Sequence, residues 1–383
     1  MVIDSPFLLL LLAVFIVILF HYLFFLQKIL RGLRSLGANE NEKIPFEFIS
    51  VIIPFRNESK NIVANLKSIE SQLYPEDRFE VIYVNDSSED DSLQILKRNI
   101  KRSNVRFISV PNEFSKNAHK KRAIRFGIET AKGDIIVTTD ADCTHNSEWL
   151  MSLLQTFDPV TGFVSGPVEF DTGKNIFSKF QNLEFSGLVL CGAGLIGSGH
   201  PTICNAANIA YKKKAFDEVG GFNDQMNLSS GDDELLMQKI FRDSDYKVKF
   251  CIDTKSIVRT AANRTISDFY NQRKRWASKG LFYADKNLVL KLILIYSFYL
   301  GLVTQLLLGL IVDNIFILSL FISLLLKIIY EFRILSKGKK ILFHNLRLSY
   351  LVIAEVFQVP YIIFTGLFGA FGNYIWKSRK VNR

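Results

Sequence analysis

The sequence predicts an α/β domain with a mostly parallel sheet, held between one N-terminal and about three C-terminal membrane-spanning helices. Three observations carry this. Hydrophobic residues make up 49% of the 383 and charged ones only 22%, which rules out a disordered chain and argues against a simple soluble domain. The apolar excess is concentrated at the two ends of the chain. Between them, apolar runs of strand length alternate with amphipathic stretches of helix length, the rhythm of a parallel sheet with right-handed crossovers.

Taken in order, Pro6–Leu26 carries no formal charge, and at about 1.5 Å per residue it is long enough to cross a bilayer. No basic residue precedes it, Lys28, Arg31 and Arg34 follow it, and no small-residue cleavage pattern comes after. Residues 1–27 therefore read as a retained anchor with its N-terminus outside and the chain from residue 27 in the cytoplasm. Residues 28–47 read as a basic linker and 48–285 as the α/β domain. Its strands are Phe48–Pro54, Glu80–Asn85, Val105–Val110 and Asp134–Thr139, nearly continuous apolar runs as expected where helices cover both faces. Ser59–Gln72, Ser88–Asn99 and Ala118–Ala131 are the intervening helices.

Residues 286–383 form a C-terminal membrane region. Leu292–Val312 is uncharged, and after only Asp313 and Asn314 comes Ile315–Tyr330, so the two make a helical hairpin. Lys327 and Glu355 read as lone charges near the interfaces, with Lys327 snorkelling and no span carrying paired charges. The loop with Arg333, Lys337, Lys339, Lys340 and Arg347 fits a cytoplasmic side. Leu348–Trp376 is interrupted by Glu355 and Pro360. Alternation would put its tail outside, yet Lys377, Arg379, Lys380 and Arg383 lie there, so this segment's topology stays open. Cys143, Cys191, Cys204 and Cys251 form no C-x-x-C pair, and neither a disulfide framework nor a zinc site is read from them.

In open α/β sheets ligands bind beyond the carboxyl ends of the strands. Those ends are acidic here: Arg56-Asn57-Glu58 after the first strand, Asn85-Asp86 at the second, Asp140-Ala141-Asp142 at the fourth. An anionic rim suits a phosphate ligand only with a divalent cation between them. Two carboxylates spaced D-x-D offer hard oxygens to Mg²⁺ or Mn²⁺, with ligand phosphates completing the shell. Any one of these residues alone is equally well an ordinary strand-end or cap residue.

These stretches resemble the membrane-bound family 2 glycosyltransferases, which have the GT-A nucleotide-sugar-binding fold. The matching segments are VIIPFRNE (51–58), VIYVNDSSEDDS (81–92), HKKRAI (119–124) with GDIIVTTDADC (133–143), SGDDELL (230–236) and QRKRW (272–276), in the family's order and covering roughly residues 48–280. The arrangement is also similar to cellulose, chitin and hyaluronan synthases, with fewer C-terminal spans. The resemblance implies that Glu58 and Asp86 bind the ribose and base. It likewise implies that Asp140 and Asp142 face the diphosphate, with Asp142 as the metal ligand, and that Lys120 contacts the donor. His119 stands where the family has glycine before the Lys120–Lys121 pair, and Asn85 replaces the first acid of a D-D pair, so only Asp86 is carried over.

Asp233 aligns with the family's general base, which inverting transfer requires to deprotonate the acceptor hydroxyl. The other reading of Asp232, Asp233 and Glu234 is an acidic first turn complementing a helix dipole. Gln272, Arg275 and Trp276 are implied at the acceptor and diphosphate: Arg275 by charge-assisted bonds, Trp276 as a stacking face. A basic helix lying on lipid through Arg273, Lys274 and Lys279 is the alternative, and both can hold at once. Cys204–Asn208 falls near the acceptor side, where small residues can also serve close packing. His200 and His119 lack metal-ligand spacing, and Phe177, Phe180 and Phe185 read as a buried helix face.

The expected activity is an inverting, metal-assisted transfer from a nucleotide-diphosphate sugar, UDP-linked by resemblance, to a lipid or a growing polysaccharide. The expected setting is a cell or inner membrane with the catalytic domain cytoplasmic. The net charge of +10 is read as membrane-proximal, because no basic–aromatic pattern for nucleic acid is present. The alternative is a non-catalytic nucleotide-binding membrane protein or a transporter component.

Overall fold

A computed structural model describes residues 6–37, 47–111, 119–171, 173, 175–223, 231–278, 283–371, 374–376 and 379–381. Among the described residues the central sheet has seven strands in the order β3-β2-β1-β4-β8-β6-β9. Its first half is β1 (Ile49–Phe55), β2 (Phe79–Asn85), β3 (Val105–Ser109) and β4 (Ile135–Thr138), all parallel. β1 and β2 are apolar and almost wholly buried because α2 (Ile62–Glu70), α3 (Ser92–Asn99) and α4 (His119–Glu129) pack around them. These elements fall where the alternating pattern places them. The second half is mixed: β8 (Ile209–Lys212) runs antiparallel to β4 and to β6 (Thr161–Ser165), and β9 (Lys247–Phe250) is parallel to β6. A smaller sheet joins β5 (Cys143–Thr144), β10 (Val258–Ala261) and β7 (Val168–Asp171) below the rim.

Among the described residues four helices are long and apolar enough to cross a membrane: α1 (Pro6–Ser35), α10 (Lys286–Ile311), α11 (Ile315–Ile341) and the segment 348–369 within which α12 (Leu351–Phe371) begins. The helix of the anchor runs on to Ser35, so the first part of the stretch read as a basic linker is helical; residues 38–46 lie outside the described residues. α1 buries one stripe, including Phe15, Leu19, Tyr22, Leu26, Ile29 and Leu33, and leaves Phe7, Leu10, Val17, Phe20 and Phe24 exposed. That is the pattern of a helix with one face on its neighbours and the rest available to lipid.

The bundle docks on the α/β domain through α6 (Ile176–Gly197). Contact with α1 is backbone to backbone: a Cβ on Gly32 would stand 1.8 Å from the Gly194 carbonyl oxygen, and one on Gly197 2.4 Å from that of Gly32. Small residues at such a crossing let two helices approach until their backbones touch.

Two readings of charge are corrected here. Lys327 does not snorkel; it is fully buried, with Nζ 2.9 Å from Glu331 Oε1, paired with Glu355 and 2.7 Å from Gln358 Oε1. The spans therefore do carry paired charges, because α12 returns Glu355 to the level of Lys327. Arg273, read as a lipid-facing cation, is also buried, in an ion pair with Glu184 of α6. The three phenylalanines of α6 do not share one core: Phe177 meets Phe269, Phe180 meets Tyr350 and Phe357, and Phe185 stacks on Phe170. α12 runs unbroken through Pro360. Its C-terminal end lies against α9 (Ile266–Ala277), where a Cβ on Gly369 would come within 2.8 Å of Ala277. The tail forms a short hairpin of β11 (Tyr374–Trp376) and β12 (Arg379–Val381), with β11 beside α9.

Candidate active site

A cavity of about 440 Å³ opens beyond the carboxyl ends of β1, β2 and β4. Glu58, Asp86, Lys120, Asp140 and Asp142 line it, and so do Asp233, Gln272, Arg275 and Trp276. Every residue that the sequence proposes for the site therefore borders one space, although 218 residues of chain separate the ends of the group, from Glu58 to Trp276.

The first turns of the rim are fixed by an interlocked set of bonds. Asn57 and Ser87 adopt left-handed φ angles of 54° and 56°, which swing Glu58 and the 87–92 loop towards each other. Glu58 N–H donates to Ser92 Oγ at 2.6 Å, and its Oε2 accepts from Asn61 Nδ2 at 2.7 Å. Arg56 donates to the carbonyls of Asp86 (3.0 Å) and Ser87 and pairs with Glu89 at 2.7 Å. The Asp86 carboxylate, on the cavity wall, is gripped by Arg122 of α4. Of the two lysines at the start of α4, Lys121 is buried and only Lys120 reaches the cavity.

The Asp140–Asp142 loop is held by residues with no obvious signature. Asn65 of α2, completely buried, donates to the carbonyls of Asp140 (3.2 Å) and Cys143 (2.8 Å) and accepts from Tyr83 Oη at 2.6 Å. His145 closes the loop from below, with Thr139 Oγ1 2.8 Å from Nε2 and Ser68 Oγ 3.0 Å from Nδ1. It also packs against Trp149, with the ring centres 4.2 Å apart and the planes tilted by 39°. Burial pulls the His145 imidazole down to about 3, so it is neutral and serves as a brace. The only sequence trace of it is a histidine three residues after the D-x-D.

Lys120 bridges the two acidic groups: Nζ lies 2.6 Å from Asp140 Oδ1 and 3.2 Å from Asp232 Oδ2. Although burial opposes it, the charges of Asp140, then Asp232 and Asp233, hold this ammonium well above the ordinary lysine range. Asp233 is the N-cap of α8 (Glu234–Asp243) but makes no cap hydrogen bond; its Oδ2 accepts instead from Ala206 N–H at 3.0 Å, on the cavity wall. Glu234, in the first turn, accepts from Tyr283 Oη at 2.7 Å. A purely dipole-complementing role thus fits Glu234 better than Asp233. Within Cys204–Asn208, Asn208 is structural: it donates to the Pro167 and Ser256 carbonyls and accepts from Trp149 Nε1. Cys204 to Ala207 border the cavity.

On α9, Gln272 Oε1 accepts from Asn263 Nδ2 at 2.8 Å and from Arg273 at 2.5 Å. The Arg273 guanidinium lies 4.3 Å from the Trp276 ring centre and 4.5 Å from that of Phe269, while its fork holds Glu184. Tyr361 of α12 donates to the same Glu184 at 2.7 Å. Arg273 thus orients the residues on either side of it. Lys279 lies outside the described residues.

The donor set suits a hard divalent ion shared with a ligand. Asp140 and Asp142 both line the cavity. Among the described residues no three His, Cys, Asp or Glu side chains stand close enough to hold an ion by themselves, so ligand oxygens would have to complete the shell.

Residues 50–220 match the family model described as glycosyl transferase family 2. Poly-beta-1,6-N-acetyl-D-glucosamine synthase of Staphylococcus epidermidis is 25% identical over 264 residues, 68% of this chain and 60% of that protein. Undecaprenyl-phosphate 4-deoxy-4-formamido-L-arabinose transferase of Pseudomonas syringae pv. syringae is 34% identical over 112 residues, 29% of this chain and 33% of that protein. The aligned part thus spans about three-fifths of the first of these relatives and a third of the second. A mannosyltransferase of Pyrobaculum calidifontis, solved in complex with GDP-mannose and Mn²⁺, matches over 94% of this chain and 98% of its own. Its TM-score is 0.57 at 20% identity, a likeness of fold.

Proposed function

We propose that this chain, which carries a family 2 glycosyltransferase domain of the GT-A fold joined to four apolar helices of membrane-spanning length, transfers a sugar from a nucleotide-diphosphate donor to an acceptor at the membrane. The observation that carries the reading is the single cavity that gathers three acidic strand ends, Asp233 and the Gln272–Trp276 block. Glu58 and Asp86 receive the nucleoside, a UDP-linked one in our reading. Asp140 and Asp142 would hold a divalent ion, Mg²⁺ or Mn²⁺, which when bound neutralises the diphosphate. Lys120, already paired with Asp140, is placed to exchange that carboxylate for phosphate oxygen.

Asp233 takes the proton of the acceptor hydroxyl as its oxygen attacks the anomeric carbon from the face opposite the leaving group, which inverts that centre. The contact with Ala206 N–H fixes the direction of its carboxylate. Arg275 stabilises the departing diphosphate, and Trp276, backed by Arg273, offers its ring to the sugar. The flanking basic residues and the tail hairpin beside α9 support a cytoplasmic catalytic domain, with the tail on the same side.

The test is nucleotide-diphosphate release by solubilised full-length protein from a panel of nucleotide sugars, with membrane lipid extract and either Mg²⁺, Mn²⁺ or EDTA. Release from one donor that needs the metal and is absent in Asp142→Ala is the expected result. Asp233→Asn should abolish transfer and leave donor binding by calorimetry nearly intact. Donor binding without turnover under any condition would favour the non-catalytic nucleotide-binding alternative.

A further inference from the structure

The cavity has a second character away from the carboxylates. There its wall is the cavity-facing side of α6, Phe185, Leu188, Val189 and Gly192, with Ile203 against Gly192 at its end. These helix positions recur at the spacing of one face. From Phe185 to Gly197 the helix has no charged residue, and Leu188 is 37% exposed although large and apolar. None of the four side-chain positions offers a hydrogen-bond donor or acceptor. A glycan chain presented to such a wall would leave its hydroxyls without partners. An apolar chain would lose nothing there and would gain by leaving water.

The opposite side of the same helix is the membrane bundle. Gly194 and Gly197 touch Ile29 and Gly32 of α1, and Leu190 packs against Gly338 of α11. The apolar wall is therefore carried by the helix that docks on the membrane-spanning bundle, one helix thickness away from it. Gly192 lets the chain at Ile203 close on α6 and end this wall, because a Cβ there would meet the Ile203 carbonyl oxygen at 2.7 Å.

We infer that the α6 wall is the seat of the acceptor's apolar chain, and that the acceptor is a membrane lipid with a hydroxyl-bearing head and not a soluble or growing glycan. The inference rests on the transfer reading above and narrows its acceptor. With the chain against Leu188 and Val189, the head is directed to the part of the cavity that Asp233 and Trp276 border. The lipid oxygen forms its bond to the anomeric carbon, the bond from that carbon to the diphosphate oxygen breaks with its electron pair on the diphosphate, and the hydroxyl proton passes to Asp233.

The probe is a diazirine-bearing long-chain alcohol, photolysed with the full-length protein in detergent micelles and mapped by mass spectrometry. Label is expected within residues 185–192, displaced by excess unlabelled alcohol. Leu188→Glu, which puts a carboxylate into an apolar wall, should lower that label by about tenfold. Leu188→Met, with the same chromatographic profile, should keep it. Label confined to the outer faces of α1, α10 and α11, or label at 185–192 indifferent to Leu188→Glu, overturns the inference. A separate arm compares long-chain alcohols with soluble oligosaccharides as stimulants of nucleotide-diphosphate release. Stimulation by oligosaccharides alone overturns the lipid seat while leaving the transferase reading standing. Absence of donor turnover fails the transferase reading, and the labelling still decides the seat.

Discussion

Lys120 and Lys327 each sit between two carboxylates, in opposite surroundings. Lys120 spans Asp140 and Asp232 on the wall of a cavity, and the Asp140 side chain keeps 34% of its surface exposed. Lys327 spans Glu331 and Glu355 with no exposure at all, and its third partner is Gln358. Around the second cluster the polar atoms are closed on one another: Tyr22 donates to Glu331 at 2.8 Å and its hydroxyl lies 3.1 Å from that of Tyr299. The cluster thereby ties α1, α10, α11 and α12 at one level. What separates the two is exchange. An ion pair beside a cavity can trade a carboxylate for a ligand's phosphate at little net cost, whereas a sealed pair has nothing to trade with and acts as a fastening.

Removing each lysine should therefore have opposite signatures. Breaking a buried pair from one side costs about 3–5 kcal/mol, because the remaining charge is left uncompensated. Lys327→Met is expected to cost that much, seen as loss of monodisperse protein or a large fall in thermal midpoint. Lys327→Met combined with Glu355→Leu should recover part of it. Lys120→Met should leave the thermal midpoint nearly unchanged and weaken donor binding. Equal destabilisation by the two single variants would break the contrast.

The same contrast governs what could be read from sequence. The rim is legible because each acidic group follows a continuous apolar run, so local pattern alone puts Glu58, Asp86 and Asp140 at strand ends on one edge. The mixed half of the sheet was not legible, since β8, β6 and β9 have only four or five residues and pair across long connections. The sealed cluster depends on tertiary return: Glu355 is 28 residues from Lys327 and lies on another helix. Its one local trace was Glu331, four residues after Lys327 on one helix. Asn65, His145 and Arg273 escaped because an amide, an imidazole or a guanidinium that braces a loop has no spacing of its own. Their roles follow from which carbonyls, hydroxyls and carboxylates the fold brings to them.

His145 sharpens the contrast from the cavity side, with pH as the lever. Its folded-state value is depressed from 6.5 to about 3 by burial, so the unfolded chain binds a proton first. The stability it contributes is whole above pH 6.5 and is lost as pH falls through that window towards 3. Each pH unit in the window should remove up to about 1.4 kcal/mol. Chemical denaturation at pH 7 and pH 5 measures this, and His145→Gln, which cannot titrate, should flatten the difference. An unchanged slope in that variant would mean that other groups set the acid sensitivity.

The smallest effect belongs to the residue that joins the two regions. α12 brings Glu355 and Gln358 to Lys327 and, one turn further, Tyr361 to Glu184, whose other partner is Arg273 beside Gln272. Bundle and α9 are thus fastened to one helix by separate bonds. In Tyr361→Phe, Glu184 keeps the Arg273 fork, so the loss should be that of a single hydrogen bond, about 1 kcal/mol. Because α9 carries Gln272, Arg275 and Trp276 while the nucleoside end of the cavity is built on β1 and β2, the change should raise the acceptor KM more than it weakens donor binding. Donor affinity falling in Tyr361→Phe as far as in Lys120→Met would mean that the open cluster is held in place by the sealed one, and that the two act as a single unit.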